Sequence, residues 1–243
     1  MSQTAPAAPE LPKRFYKTAS FVIAEPGRFN ILLDERPVRT PARNVLHVTN
    51  ARVAEKIVQE WNAQEERINP QTMPLTRLAN TVIDGVMANP EPVKQDLANY
   101  IETDLLFYRA EGPERLIEKQ KSGWDPVVKW ASDRVGNEFR STAGVMHISQ
   151  SDEALAGFWQ IADRLDDPFV IAALHQLVTI TGSAILGFAV LEGRLSAEAA
   201  FELSQIDEDW NIELWGEDEE AADRRRRRHA DAAAAGIVLT AEE

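Results

Sequence analysis

The longest apolar run in the chain is Pro168 to Leu191, PFVIAALHQLVTITGSAILGFAVL, with no Asp, Glu, Lys or Arg between Asp167 and Glu192. Its length would allow a bilayer crossing, for which about 20 apolar residues suffice. His175, Gln176, Thr179, Thr181 and Ser183 argue against that, since each would need a partner in lipid, and neither a Lys/Arg asymmetry nor an aromatic belt flanks the run. The pattern therefore predicts a helix apolar on all sides and enclosed by other helices. Thr181-Gly182-Ser183 is placed to kink or divide it.

Toward the N-terminus the period shortens. Phe15, Lys17, Phe21 and Ile23 alternate with Tyr16, Ser20, Val22 and Ala24, and Glu25-Pro26-Gly27-Arg28 forms a turn into Phe29 to Leu33. Asp34 to Pro37 makes a second turn, and Pro41 with Asn44 brackets a third before Val45 to Val48. These signals predict an antiparallel sheet of three or four strands, small enough to need a helix packed on it. That helix is expected from an Asn50 N-cap through Gln64, with Val53, Ile57 and Trp61 inward.

Asn69 to Pro74 cannot continue it and marks a candidate domain junction. Helical periods then follow: Leu75, Leu78 and Val82; a helix opened by Asn89-Pro90-Glu91-Pro92; Glu114 to Val135, interrupted near Ser122 to Pro126; Ser151 to Leu165; the apolar rod; a helix from Ser196 to Trp215; and a last one from Glu217 to Ala235. Asn137 to Ser149 is expected to be irregular. The fold class is α+β: a disordered tail over 1–12, a small antiparallel β domain with one helix over 13–74, and a larger all-α domain over 75–243.

Composition narrows the function. A net charge of −13 speaks against nucleic acid or anionic membranes as partners. Without cysteine there is no disulfide, thiolate zinc site, iron–sulfur cluster or cysteine nucleophile. Residues 1–12 lack signal-peptide and transit-peptide character, so a bacterial cytoplasmic protein is expected. Gly182 and Gly187 have the spacing of a phosphate loop, but Phe188-Ala189 stands where Lys and Ser/Thr are required. His47, His147, His175 and His229 are isolated, and His175 reads as a hydrogen-bonded core histidine.

Two features stand out. On a helix from Ser196 to Trp215, Leu203, Ile206, Trp210 and Leu214 form one apolar stripe, and Phe201, Ile212 and Trp215 another, with Glu208 in the middle of the second. A carboxylate there needs a neighbouring Arg or a partner protein, because an unpaired buried charge costs several kcal/mol, order of magnitude. The other feature is Arg224 to Arg228, readable as a solvated helix, with Glu220–Arg224 and Asp223–Arg227 pairs, or as an anion or nucleic-acid site.

A set of phrases in order then resembles a known family. Arg14-Phe15-Tyr16-Lys17, Leu33-Asp34, Arg36-Pro37, Thr40-Pro41, Glu60-Trp61 with Gln64, Met73-Pro74-Leu75 and Ile83-Asp84 occupy the first part. Thr103-Asp104-Leu105, Tyr108-Arg109, Trp124-Asp125-Pro126, Gly182-Ser183 and Asp207-Glu208, Trp210, Trp215-Gly216, Asp218 complete it. Together they resemble the F-type ATP synthase assembly chaperones that bind the α subunit. Asn211 departs from the Gln expected there, and the Arg and Ala runs after Ala221 look peculiar to this chain.

The resemblance implies a two-domain chaperone that holds the free α subunit against aggregation until the β subunit replaces it, with no cofactor, metal or catalytic residue. Glu208, Ile212, Trp215, Trp210 and Asp218 are then the expected partner-binding residues, an aromatic anchor beside charge. A monomer without membrane insertion is expected. The rival reading is a hydrolase or lyase using buried carboxylates, Glu208 with His175 or Asp104.

Overall fold

The computed structural model describes residues 10–241. Strands β1 (Ala19–Glu25) and β2 (Arg28–Leu33) form an antiparallel hairpin in the register Ala19 to Leu33 and Ile23 to Phe29. The two short strands β3 (Arg36–Pro37) and β4 (His47–Val48) both pair with β2, so β1 keeps an open outer edge. Alternation along β2 buries Ile31 and Leu33 toward α1 (Ala51–Asn62), which contributes Val53, Ala54 and Ile57. As its sequence predicts, α1 is capped by Asn50, whose side-chain oxygen accepts from Arg52 N at 2.8 Å and Val53 N at 3.3 Å.

At the far end of α1, the Asn62 side-chain oxygen accepts from Ala19 N at 2.8 Å and its amide donates to Ala19 O at 3.2 Å. That side chain fills the place a neighbouring strand would take on the open edge of β1. Most of the expected tail over 1–12 lies outside the described residues. Its last part is held: the carbonyl of Pro12 accepts from Ile68 N at 2.8 Å.

The remaining helices are α2 (Pro74–Asp84), α3 (Glu91–Tyr100), α4 (Glu114–Val135), α5 (Asp152–Asp163), α6 (Pro168–Thr181), α7 (Ala184–Leu191), α8 (Ala197–Ser204), α9 (Ile206–Trp215) and α10 (Glu219–Leu239). The small parallel pair β5 (Tyr108–Arg109) and β6 (Thr142–Ala143) ties the irregular 137–149 link to the rest. The apolar run of the sequence is α6 and α7, divided at Gly182, which sits in the left-handed region at φ +70°. α6 packs against α2, α3, α8 and α10, and α7 folds back on it. A Cβ on Gly187 would stand 2.5 Å from Val178 Cγ2, so the turn after α6 closes only over a residue without a side chain.

Three sequence expectations differ from what is observed. Helix α4 runs unbroken through Pro126, because Trp124, Val127 and Val128 around it are buried and Trp124 Nε1 donates to Leu203 O at 2.8 Å. That packing outweighs a penalty of about 3 kcal/mol for an interior proline. The expected helix from Ser196 to Trp215 is two helices, α8 and α9, joined at the buried Gln205. The last helix starts and ends later than expected, and its alanine-rich end is buried: Ala232, Ala234, Ala235 and Val238 pack into the core. There α10 approaches α8 so closely that a Cβ on Gly236 would lie 2.4 Å from Ala197 Cβ.

Candidate functional site

The α9 to α10 corner carries the candidate partner-binding residues. The break at Gln205 turns α9 relative to α8, so the two stripes expected of one helix do not continue. Phe201 is buried, with its ring 5.2 Å from that of His229, whereas Leu214 is 55% exposed and Trp215 84% exposed. Gly216 at φ +83° ends α9, and Asp218 opens α10 by accepting from Ala221 N at 2.9 Å. Between the two helices lies a cleft of about 180 Å³ lined by Glu208, Ile212, Trp215, Asp218, Ala222 and Arg225 among others.

Glu208 is half-buried in this cleft. The neighbouring Arg225 forms its ion pair with Asp209, and that hydrogen bond, with Glu208 and Glu217 close by, raises the guanidinium's pKa. Trp210 faces inward instead, 9% exposed, with Arg115 and Lys119 at 5.5 and 5.6 Å from its ring centre. Both cations also meet Glu213, whose carboxyl is held below its ordinary range, chiefly by the Lys119 hydrogen bond. Of the expected set, Glu208, Ile212, Trp215 and Asp218 therefore share one cleft, and Trp210 is not part of its lining but packs against Arg115 and Lys119 of α4.

The arginine run is mostly engaged. Arg224 pairs with Glu220 at 2.7 Å, Arg225 with Asp209, and Arg228 donates to Ile180 O. Asp223 pairs with Arg226 and not with the expected Arg227, since three residues along a helix bring side chains together as well as four do.

The buried carboxylates serve as fasteners. Asp104 is fully enclosed and accepts from Ser183 Oγ at 3.0 Å, Ile185 N at 2.9 Å and Leu106 N at 2.9 Å. Burial pushes its carboxyl up to about 6, with those bonds working against the shift. It thereby satisfies amides at the start of α7 and in the turn after α3. Glu60 of α1 does the same for α2, accepting from Leu75 N at 2.7 Å, Thr76 N at 2.8 Å and Thr76 Oγ1 at 2.7 Å, and burial raises its pKa too.

Asp84 joins α2 to the 40–44 turn through Thr40 Oγ1 at 2.6 Å, Ala42 N at 2.9 Å and Asn44 Nδ2 at 3.0 Å. His175 is not a core histidine: it is partly exposed, with Nε2 2.7 Å from Asp96 Oδ2. Of the groups named for a hydrolase, Glu208 lines the α9 to α10 cleft, His175 pairs with Asp96, and Asp104 has no contact with solvent. Asp104 and the His175–Asp96 pair join helix to helix or helix to turn.

Comparison with known proteins decides the family. A family model described as ATP12 chaperone protein matches residues 13–132. The chain is 40% identical to the Atp12 of Paracoccus denitrificans, whose crystal structure superposes with a TM-score of 0.83 over 94% of this chain and 97% of that one. The chain belongs to the ATP12 chaperone family.

The Atu1473 protein of Agrobacterium tumefaciens is similar over 95% of this chain and 86% of its own, at 45% identity and a TM-score of 0.88. Among curated proteins, atp12 of Schizosaccharomyces pombe, named as mitochondrial, is 25% identical over 221 residues, 86% of this chain and 75% of its own. Membership identifies this ATP12-family chain as a chaperone of ATP synthase assembly and agrees with the α+β architecture expected of it. Among the described residues, no helix is long and apolar enough to cross a membrane.

Proposed function

We propose that this chaperone binds the free α subunit of the F-type ATP synthase catalytic sector and keeps it from aggregating until the β subunit takes its place, by contact alone and without catalysis. The observation that carries this reading is the α9 to α10 corner. Trp215, 84% exposed, and Leu214, 55% exposed, stand beside a cleft edged by Glu208 and Asp218. An unassembled ring subunit exposes apolar surface that its neighbour would cover, and a large aromatic next to carboxylates suits such a surface edged by Lys or Arg. The bacterial cytoplasm and a monomeric working state belong to the same proposal. So does a division into units at 13–74 and 75–243, supported by the Pro70–Thr72 turn that interrupts the helices there.

The test is aggregation of newly diluted α subunit followed by light scattering without nucleotide. The wild-type chain is expected to suppress the signal at equimolar ratio, and Glu208→Lys or Trp215→Ser is expected to lose most of that effect while keeping its circular dichroism. Suppression by both variants equal to wild type would remove the corner from the holding surface. No suppression by the wild-type chain would remove the α subunit as client.

A further inference from the structure

On the β side of the molecule, away from the α9 to α10 corner in the chain, two hollows of about 690 and 280 Å³ meet end to end. Both are lined by Val38, Arg39 and Trp61, so they form one trough. One wall is a single stretch of consecutive residues, Arg36 to Pro41, which at ~3.3 Å per residue makes the trough about 20 Å long. That shape fits an extended polypeptide of about six residues better than a compact small molecule.

Two observations give the occupant its chemistry. The trough carries two guanidiniums without an acidic partner: Arg36 has no ion pair or side-chain hydrogen bond among the described residues, and Arg39 reaches only the Arg43 carbonyl at 3.3 Å. The third arginine, Arg77, is spent on Asp231. The one carboxylate lining the trough among the described residues, Asp34, accepts from Thr18 N and Lys17 N at 3.0 Å, and those bonds keep it ionised, so the two free guanidiniums still outnumber it. In a chain of net charge −13, unpaired cations gathered in a hollow are complementary to an acidic segment.

Next, Phe15 stands at the rim 75% exposed, over the buried Tyr16 and Val38, ready to cover an apolar side chain.

We propose that this trough is a second client-binding site, which takes an extended segment of the held subunit bearing at least one Asp or Glu. Its carboxylate meets Arg36 and Arg39, and a neighbouring apolar side chain packs under Phe15. The proposal rests on the α-subunit reading above, and it gives the chaperone a basic grip on the β side beside the acidic, aromatic one at α9 and α10.

The experiment uses the full chain and the purified α subunit. Arg36→Glu combined with Arg39→Glu is compared with a control pair of equal charge change on the exposed face of α4, Lys121→Glu with Lys129→Glu. A photo-crosslinking benzoylphenylalanine replaces Phe15 in a third protein. The trough pair is expected to weaken binding by about tenfold or more and to reduce its salt dependence, whereas the control pair changes affinity by less than about twofold. The cross-link is expected on one contiguous α-subunit segment containing Asp or Glu.

If wild type binds the α subunit and the trough pair binds equally well, or the cross-links scatter or fall on a segment without a carboxylate, the trough proposal is overturned while the α-subunit reading stands. If wild type does not bind the α subunit, both fall. Arg36→Gln with Arg39→Gln, neutral and milder, serves should the reversed pair fail to fold, and unchanged affinity in that variant overturns the proposal equally.

Discussion

Asp104 offers the sharpest check on how this fold is held. Its carboxyl sits in a fully enclosed pocket among three donors, Ser183 Oγ, Ile185 N and Leu106 N, and titrates near 6 against an ordinary value of 3.8. Because the folded value is raised, the stability it confers is full below the unfolded pKa and is lost as pH rises through about 6. Between pH 7 and pH 5 the wild-type chain should therefore gain about 1 kcal/mol from this one group.

Asp104→Asn cannot titrate, so the stability gap between wild type and variant is expected to widen by that amount as pH falls from 7 to 5. Asp104→Ala removes the acceptor altogether and orphans three donors in a dry pocket, at a cost of about 3 kcal/mol at pH 7. Urea unfolding of the three proteins at pH 5, 6 and 7, followed by tryptophan fluorescence, measures both. Other groups titrate in this range, but they cancel in the difference from Asp104→Asn. A gap that stays flat or narrows toward pH 5 would refute the account of burial raising this carboxyl. A cost below about 1 kcal/mol for Asp104→Ala would show that the donors find other partners.

Two more predictions address packing. Gly236→Ala should destabilise by about 1 kcal/mol in urea unfolding, since overpacking against Ala197 at 2.4 Å outweighs the roughly 1 kcal/mol that Ala gains over Gly inside a helix. Greater stability in the variant would mean that α8 and α10 can separate freely. Asn62→Leu should speed hydrogen exchange at the Ala19 amide and lower stability by about 1–2 kcal/mol, because its two bonds close that point on the β1 edge. Unchanged exchange at Ala19 would show that the edge is covered in another way.

Local chemistry in the sequence was enough to specify much of this molecule. The two-residue period before Leu33, the Asn50, Ser151 and Ser196 caps, and the unbroken apolar run with glycine at 182 each act over a few residues, and all appear where the pattern puts them. The ordered motifs pointed to the chaperone family, and many of their acids prove to be fasteners: Glu60, Asp84 and Asp104 each gather donors from another part of the chain.

Tertiary packing decided the rest. Pro126 stays within α4 because buried neighbours outweigh its local penalty, and the break at Gln205 turns Leu214 and Trp215 outward. Gly236 of α10 has no room for a side chain because Ala197 of α8 comes close. The trough was illegible in sequence for a plain reason. Arg36 and Arg39 come to line one hollow, without an acidic partner among the described residues, only once strands and helices distant in the chain are laid against one another, and placement of that kind leaves no period in the order of residues.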